Sequence, residues 1–226
     1  MKLASLTSGG KDSLYAAYLA KKQGHSIDYL LGMVPENPES YMFHSHNLHL
    51  LSPISEMTGI PLITGQTKGL KEEELEDLKE LLAKVRDKVE GITTGAVASN
   101  YQKQRIDGLC GDLGLKSIAP FWGNDPEKTL RSMLRDGFEI IIVAVAAPPL
   151  DESWLGRKID EKCIDDLVLL GRKHGIHIMG EGGEYDTLVT ACPLYRGKRI
   201  VVKEAGKKWD AGTRSGSLQI TKFLIA

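Results

Sequence analysis

At 226 residues, with 42% hydrophobic and 26% charged side chains, the chain has the composition of an ordinary globular protein with one large domain or two small ones, which excludes disorder, collagen and a repeat array. Its 29 Lys and Arg stand against 30 Asp and Glu, a net charge of -1, so no overall basic excess exists to drive stable nucleic-acid binding. The longest apolar run, Ile140 to Ala147, falls far short of the ~18 residues a membrane-crossing helix needs, and MKLASLTSGG is too briefly apolar for a signal peptide, so a cytoplasmic protein with no membrane attachment is expected.

In chain order, KLASLT is a short strand that breaks into SGGKDS, and DSLYAAYLAKKQ then reads as a helix stopped by Gly24. IDYLLGMV and IPLITG are strand-length apolar runs on either side of a polar and helical stretch from Glu36 to Gly59. Residues 71–89 read as an exposed helix with Leu75, Leu78, Leu82 and Val85 as its apolar stripe and Glu80–Lys84 as a supporting pair. ITTG, residues 92–95, is a fourth strand. Ser99 and Gln102 form a capping box for a helix that carries Ile106, Leu109, Cys110 and Leu113, and SIAPFW follows as a fifth strand. Strands alternating with helices imply a parallel α/β sheet covered on both faces, with ligands at the carboxyl ends of its strands.

After Gly123 the pattern changes. Asp125-Pro126 starts a helix, EIIIVAVAA is a buried strand, and residues 159–174 form a helix ending at Gly175. IHIM, TLVTACPLY, KRIVVKEA and SLQITKFLIA then read as strands, a smaller α+β domain. The division expected is 1–123 and 124–226.

The six residues Ser8, Gly9, Gly10, Lys11, Asp12 and Ser13 lie between a strand and a helix, where backbone N–H groups and the helix dipole favour an anion. The glycines permit close approach, the serines add hydroxyls, Lys11 adds a charge and Asp12 can orient a Mg2+ ion that rides on phosphates. The set suits a polyphosphate, although it matches neither the Walker A loop nor the G-x-G-x-x-G fingerprint.

SGGKDS after a first strand resembles the PP-loop of the ATP pyrophosphatases, which cleave ATP between the α and β phosphates. SYMFH (40–44), GAVASNYQKQR (95–105), FWG (121–123) and GEGGEYDT (180–187) narrow the resemblance to the diphthine-ammonia ligase family, over nearly the whole chain. That family converts the carboxylate of diphthine on translation elongation factor two to the amide diphthamide, using ATP and ammonium. The resemblance implies a Rossmann-like (HUP-type) nucleotide-binding domain with a parallel five-stranded sheet over 1–123 and a smaller, family-specific α+β substrate domain over 124–226. It implies an acyl-adenylate with release of pyrophosphate and then AMP, ATP and Mg2+ as cofactors, and Lys11, Asp12 and Glu184 as the residues carrying the chemistry. It places Gly95, Ala96, Ser99 and Arg105 beside the nucleotide with the glycine loop, Met33 against adenine or in the core, and His44 at the substrate or nucleotide.

Glu181, Gly182, Gly183, Glu184, Tyr185, Asp186 and Thr187 are then the substrate side, where acids and an aromatic ring can hold the trimethylammonium group of diphthine. His44, His46 and His49 share no helix face, and a zinc site is not expected. Trp122 belongs either to a domain junction or to the core. Cys110, Cys163 and Cys192 are too far apart for a disulfide framework or an all-cysteine zinc site, and none has a neighbouring base that would make it a nucleophile. Two other readings stay open: a PP-loop enzyme that adenylates a different carboxylate or a tRNA base, and a nucleotide-binding sensor without turnover. A homo-oligomer is left open as well.

Overall fold

Leu3, Ala4 and Ser5 are wholly buried in β1 (Lys2–Leu6), which occupies the centre of a five-stranded sheet. The computed structural model describes residues 1–36, 46–70 and 73–226, without the side chains of Tyr101 and Gln102. Two units form, Met1–Gly123 and Asn124–Ala226.

In the first unit, β1 is followed by α1 (Lys11–Lys22), β2 (Ser26–Pro35), α2 (Leu51–Thr58), β3 (Leu62–Thr67), α3 (Glu73–Ala83), β4 (Gly91–Thr93), α4 (Asn100–Asp112) and β5 (Lys116–Ile118). The strand order is β3-β2-β1-β4-β5 and every pairing is parallel. β2 lies on one side of β1 and β4 on the other, so the winding reverses at β1 and its carboxyl end is the switch point of the sheet. Ala16, Ala17 and Ala20 of α1 are fully buried, side chains small enough for close packing. Beneath the sheet, Ala4, Leu31, Met33 and Ile92 pack with Leu78, Leu81 and Leu82 of α3 and Ile106 and Cys110 of α4. Each fully buried Leu contributes about 1.5–3 kcal/mol.

Elements expected in this unit end before their sequence patterns do, ITTG being strand only to Thr93. The helix expected over 71–89 stops at Ala83, after which Lys84, Val85 and Arg86 donate to the carbonyls of Leu81, Leu82 and Ala83 in tighter three-residue turns. Lys84 Nζ lies 3.3 Å from the Thr64 carbonyl, which takes the place of the expected pairing with Glu80. SIAPFW forms a strand only to Ile118; Pro120 has no N–H for a ladder, and the chain turns so that Gly123 N–H donates to the Val97 carbonyl.

The second unit holds α5 (Pro126–Arg135), β6 (Glu139–Val145), α6 (Glu161–His174), β7 (Tyr185–Ala191), β8 (Ile200–Asp210) and β9 (Ser215–Ile225). Asp125 accepts from Lys128 N–H and Asp160 from Cys163 N–H, both at 2.8 Å, and these caps start the two helices. Gly175 ends α6 with φ +75°, the left-handed turn glycine supplies at least cost. Arg131 ties α5 to α6 through Asp165 at 2.6 Å and Glu161, and pairs within α5 with Glu127 at 2.9 Å. The sheet runs β7-β6-β9-β8, all antiparallel. IHIM, expected as a strand, is an irregular segment in which His177 N–H donates to the Glu184 carboxylate, Met179 N–H to His177 Nδ1, and the Ile178 carbonyl accepts from Tyr185 O–H. TLVTACPLY is strand only to Ala191 and continues as a 3-10 turn at Pro193–Tyr195. Among the described residues no helix is long and apolar enough to cross a membrane.

Candidate functional site

The glycine loop leaves the carboxyl end of β1 at the switch point. Gly9 takes φ +82°, open to glycine without strain, and Gly10 is extended before α1 begins. The start of α1 has no side-chain cap, so its positive end is not blunted by a cap hydroxyl or carboxylate.

A chain of hydroxyls sets the loop. Gly9 N–H donates to Thr7 Oγ1 at 3.0 Å, Thr7 Oγ1 lies 3.0 Å from Ser13 Oγ, and Ser13 O–H donates to the Gly10 carbonyl at 3.1 Å. Because Ser13 spends its proton on Gly10, the bond between the hydroxyls runs from Thr7 to Ser13. Thr7 escaped the sequence reading; the signal available was a hydroxyl residue immediately before Ser8. Lys11 is 2% exposed, its ammonium 2.8 Å from the Asp12 carboxylate, which is 30% exposed. The buried cation is thereby balanced, and Asp12 Oδ1 is buried although the side chain as a whole is partly exposed.

Gly95, after β4, fixes the same loop from the side. A Cβ there would lie 2.5 Å from the Asp12 carbonyl carbon and 2.5 Å from the Ser13 nitrogen, so only glycine lets β4 meet α1. Ala96 is buried and its N–H donates to Thr94 Oγ1 at 3.3 Å. Ser99 is half-buried, and its carbonyl accepts Lys103 N–H in the first turn of α4; Arg105 is half-buried one turn further. Met33 lies in the core beneath the sheet, where a Cβ on Gly65 would come within 2.9 Å of its sulfur. Phe121 of FWG is fully buried, with its ring 5.7 Å from that of Tyr15, and Trp122 is half-buried with Lys103 Nζ 5.6 Å from its ring. His44 and the whole of SYMFH lie outside the described residues.

GEGGEYDT occupies the approach to β7 in the second unit. Glu184 is 8% exposed and turns inward: one carboxylate oxygen accepts His177 N–H at 2.6 Å and the other Gly182 N–H at 2.9 Å. A Cβ on Gly182 would lie 2.8 Å from Glu184 Oε1, and Gly180 and Gly183 take φ +75° and +80°. Tyr185 is buried, donates its O–H to the Ile178 carbonyl at 2.7 Å, and is covered by Gly180, where a Cβ would come within 3.2 Å of the ring. The aromatic face expected to meet a cation is therefore packed into the loop. Glu181, Asp186 and Thr187 are half-buried, and Gly182 and Gly183 are exposed.

None of the cysteines has the features of a nucleophile. Burial pushes the Cys110 thiol up to about 12, with Asp107 adding to the effect, Cys163 to about 11 and Cys192 to about 12.

The model of the diphthamide synthase N-terminal domain matches residues 1–117, and that of the diphthamide synthase C-terminal domain residues 125–224. The diphthine–ammonia ligase of Rattus norvegicus is 36% identical over 223 aligned positions, covering 89% of this chain and 83% of that protein. The Homo sapiens diphthine–ammonia ligase is 36% identical over 222 positions with the same coverage, and that of Danio rerio 34% over 247 positions, covering 99% and 96%. With both domain models matched in tandem and relatives aligned over most of its length, the chain belongs to the diphthamide synthase family.

Proposed function

We propose that this chain amidates diphthine on translation elongation factor two to diphthamide, at the expense of ATP and ammonium. The observation that carries the reading is a single chain that matches both family domains and also bears an uncapped, glycine-lined helix start with a buried lysine at the switch point of its sheet. An oxygen of the diphthine carboxylate attacks the α-phosphorus of ATP and pyrophosphate departs. Ammonia then attacks the acyl carbon, AMP leaves with the carboxylate oxygen, and the nitrogen loses a proton to give the amide.

Gly9 and Gly10 let the backbone approach the triphosphate, the dipole of α1 points at it, and Lys11 balances the charge that grows on the departing pyrophosphate. Ser8 and Ser13 add hydroxyls at the loop, while Gly95, Ala96, Ser99 and Arg105 form the neighbouring wall of the nucleotide site. Asp12, a carboxylate beside the loop on a partly exposed side chain, fits the oxygen-donor chemistry of Mg2+. When bound, Mg2+ neutralises phosphate charge. The loop at Glu181–Thr187 serves the diphthine side chain.

The test is to incubate the purified chain with ATP, an ammonium salt and diphthine-bearing translocase, following the amide by mass spectrometry. AMP and pyrophosphate in step with the amide are expected. ADP and phosphate as the stoichiometric products, or no amide at all, would overturn the reading.

A further inference from the structure

We propose that His177 and Glu184 are positioning residues, which hold the substrate loop in shape by accepting its backbone N–H groups and act on catalysis only through that loop. The proposal rests on the assignment of this loop to the diphthine side and gives two of its residues a role there.

Residues 176–184 have no helix or strand to satisfy their backbone. A buried N–H without an acceptor is costly, so side chains must take the place of a ladder. Glu184 takes two N–H groups, those of His177 and Gly182. His177 Nδ1 takes two more, from Met179 at 3.3 Å and Glu181 at 3.4 Å. An imidazole nitrogen offers one in-plane lone pair, and two donors sharing it give contacts of this length. The arrangement requires Nδ1 to be unprotonated, with the ring hydrogen on Nε2. Gly180 N–H to the His177 carbonyl, at 2.8 Å, closes the turn around the ring, and Ala146 N–H to the Glu184 carbonyl, at 2.9 Å, anchors the end of the loop beside β6. Both carboxylate oxygens and Nδ1 thus face the loop's own backbone. His177 lies outside GEGGEYDT, so the motif alone does not reveal it.

The chemistry supplies a discriminating pair of substitutions. Asn places an amide oxygen near the position of Nδ1, whereas Gln places its terminal group near Nε2. In His177→Ala and His177→Gln, we expect the KM for diphthine-bearing translocase to rise ~10-fold, as two hydrogen bonds imply, with kcat and the affinity for a non-hydrolysable ATP analogue little changed. His177→Asn should remain within about twofold of the parent chain on the same scale. Amide hydrogen exchange at Met179 and Glu181 should quicken in the first two variants and stay slow in the Asn variant, with the β6 amides as a control for folding.

Rescue by Gln in place of Asn would overturn the proposal and assign the ring's role to Nε2. Loss of activity in His177→Asn with slow exchange preserved would overturn it as well. Should a variant not fold, the parent chain still decides: slow exchange at Met179, Glu181 and Gly182 supports the clamp, and fast exchange overturns it. Because exchange needs no substrate, it tests the clamp even if the chain makes no diphthamide.

Discussion

The two glycine-rich loops of this chain solve opposite problems. SGGKDS is tied by a short chain of neutral hydroxyls through Thr7 and Ser13, and it begins a helix that carries no side-chain cap. GEGGEYDT spends a carboxylate on its own backbone, and the imidazole of His177 takes two more of the loop's N–H groups. The first therefore keeps its positive character for an anion, whereas the second cancels its donors internally and has no such appeal to phosphate. Glycine content alone does not make a phosphate loop; what the backbone N–H groups are already bonded to decides it.

The sharpest way to break this contrast is at Gly95, which shapes only the first loop. Gly95→Val forces Cβ into the backbone at Asp12 and Ser13, and AMP formation should fall roughly 10²-fold or more, as displaced reacting groups imply. Unchanged AMP release in this variant would show that the close approach does not govern the loop.

Next in size are the charged residues. Lys11→Ala should cost ~10²-fold in the rate of AMP formation, the usual worth of one well-placed electrostatic contact, and should weaken nucleotide binding. Glu184→Ala should leave nucleotide affinity intact while the KM for diphthine-bearing translocase rises ~10-fold or more, because its two bonds hold the substrate loop within the second unit. Calorimetry with a non-hydrolysable ATP analogue separates the two variants, and equal losses of affinity would dissolve the distinction between the loops.

A smaller effect is expected at Thr7→Val, which keeps the shape but strips Gly9 N–H of its acceptor. The cost should be about 1–2 kcal/mol in denaturant unfolding, together with a raised KM for ATP. The cysteines should show the least change. Their thiols are held above the ordinary value of 9.0, so they stay protonated through pH 8 and form thiolate only as pH rises toward 11 or 12. An aromatic disulfide reagent at pH 8 should therefore label the folded chain slowly and the denatured chain at once; glutamine in place of ammonium should support no ligation.

The parallel sheet was legible because its strands are apolar runs bounded by glycine or proline and separated by helical periodicity. The cap at Asp125 bears out the helix start expected at Asp125-Pro126, whereas the helix expected from residue 159 begins at Glu161, behind the cap of Asp160. The end of α3 was not legible: Val85 and Val89 continue the apolar pattern and are buried, but the backbone beneath them has already tightened into turns. IHIM misled for a related reason. Ile176 and Met179 are buried as strand residues would be, but the backbone there bonds to Glu184, His177 and Tyr185, partners that local alternation does not name. In the first loop, the six motif residues were visible in sequence, whereas the hydroxyl relay through Thr7 needed coordinates. Spacing could place Met33 at a strand end, but only the packing shows it in the core.

Gly95 also bears on the order of events during synthesis. Leu3 pairs with Gly91, so the strand that brings Gly95 to the loop must travel back across most of the first unit before it docks. Such contacts between distant parts of a chain form slowly, since loop closure is paid for before the pairing returns anything. SGGKDS is made well before β4, yet its final shape waits for that strand. On the proposed role of this loop, nucleotide that recognises only its finished shape should favour the closed unit by mass action, a support available only after Gly95 has been made and has reached the loop.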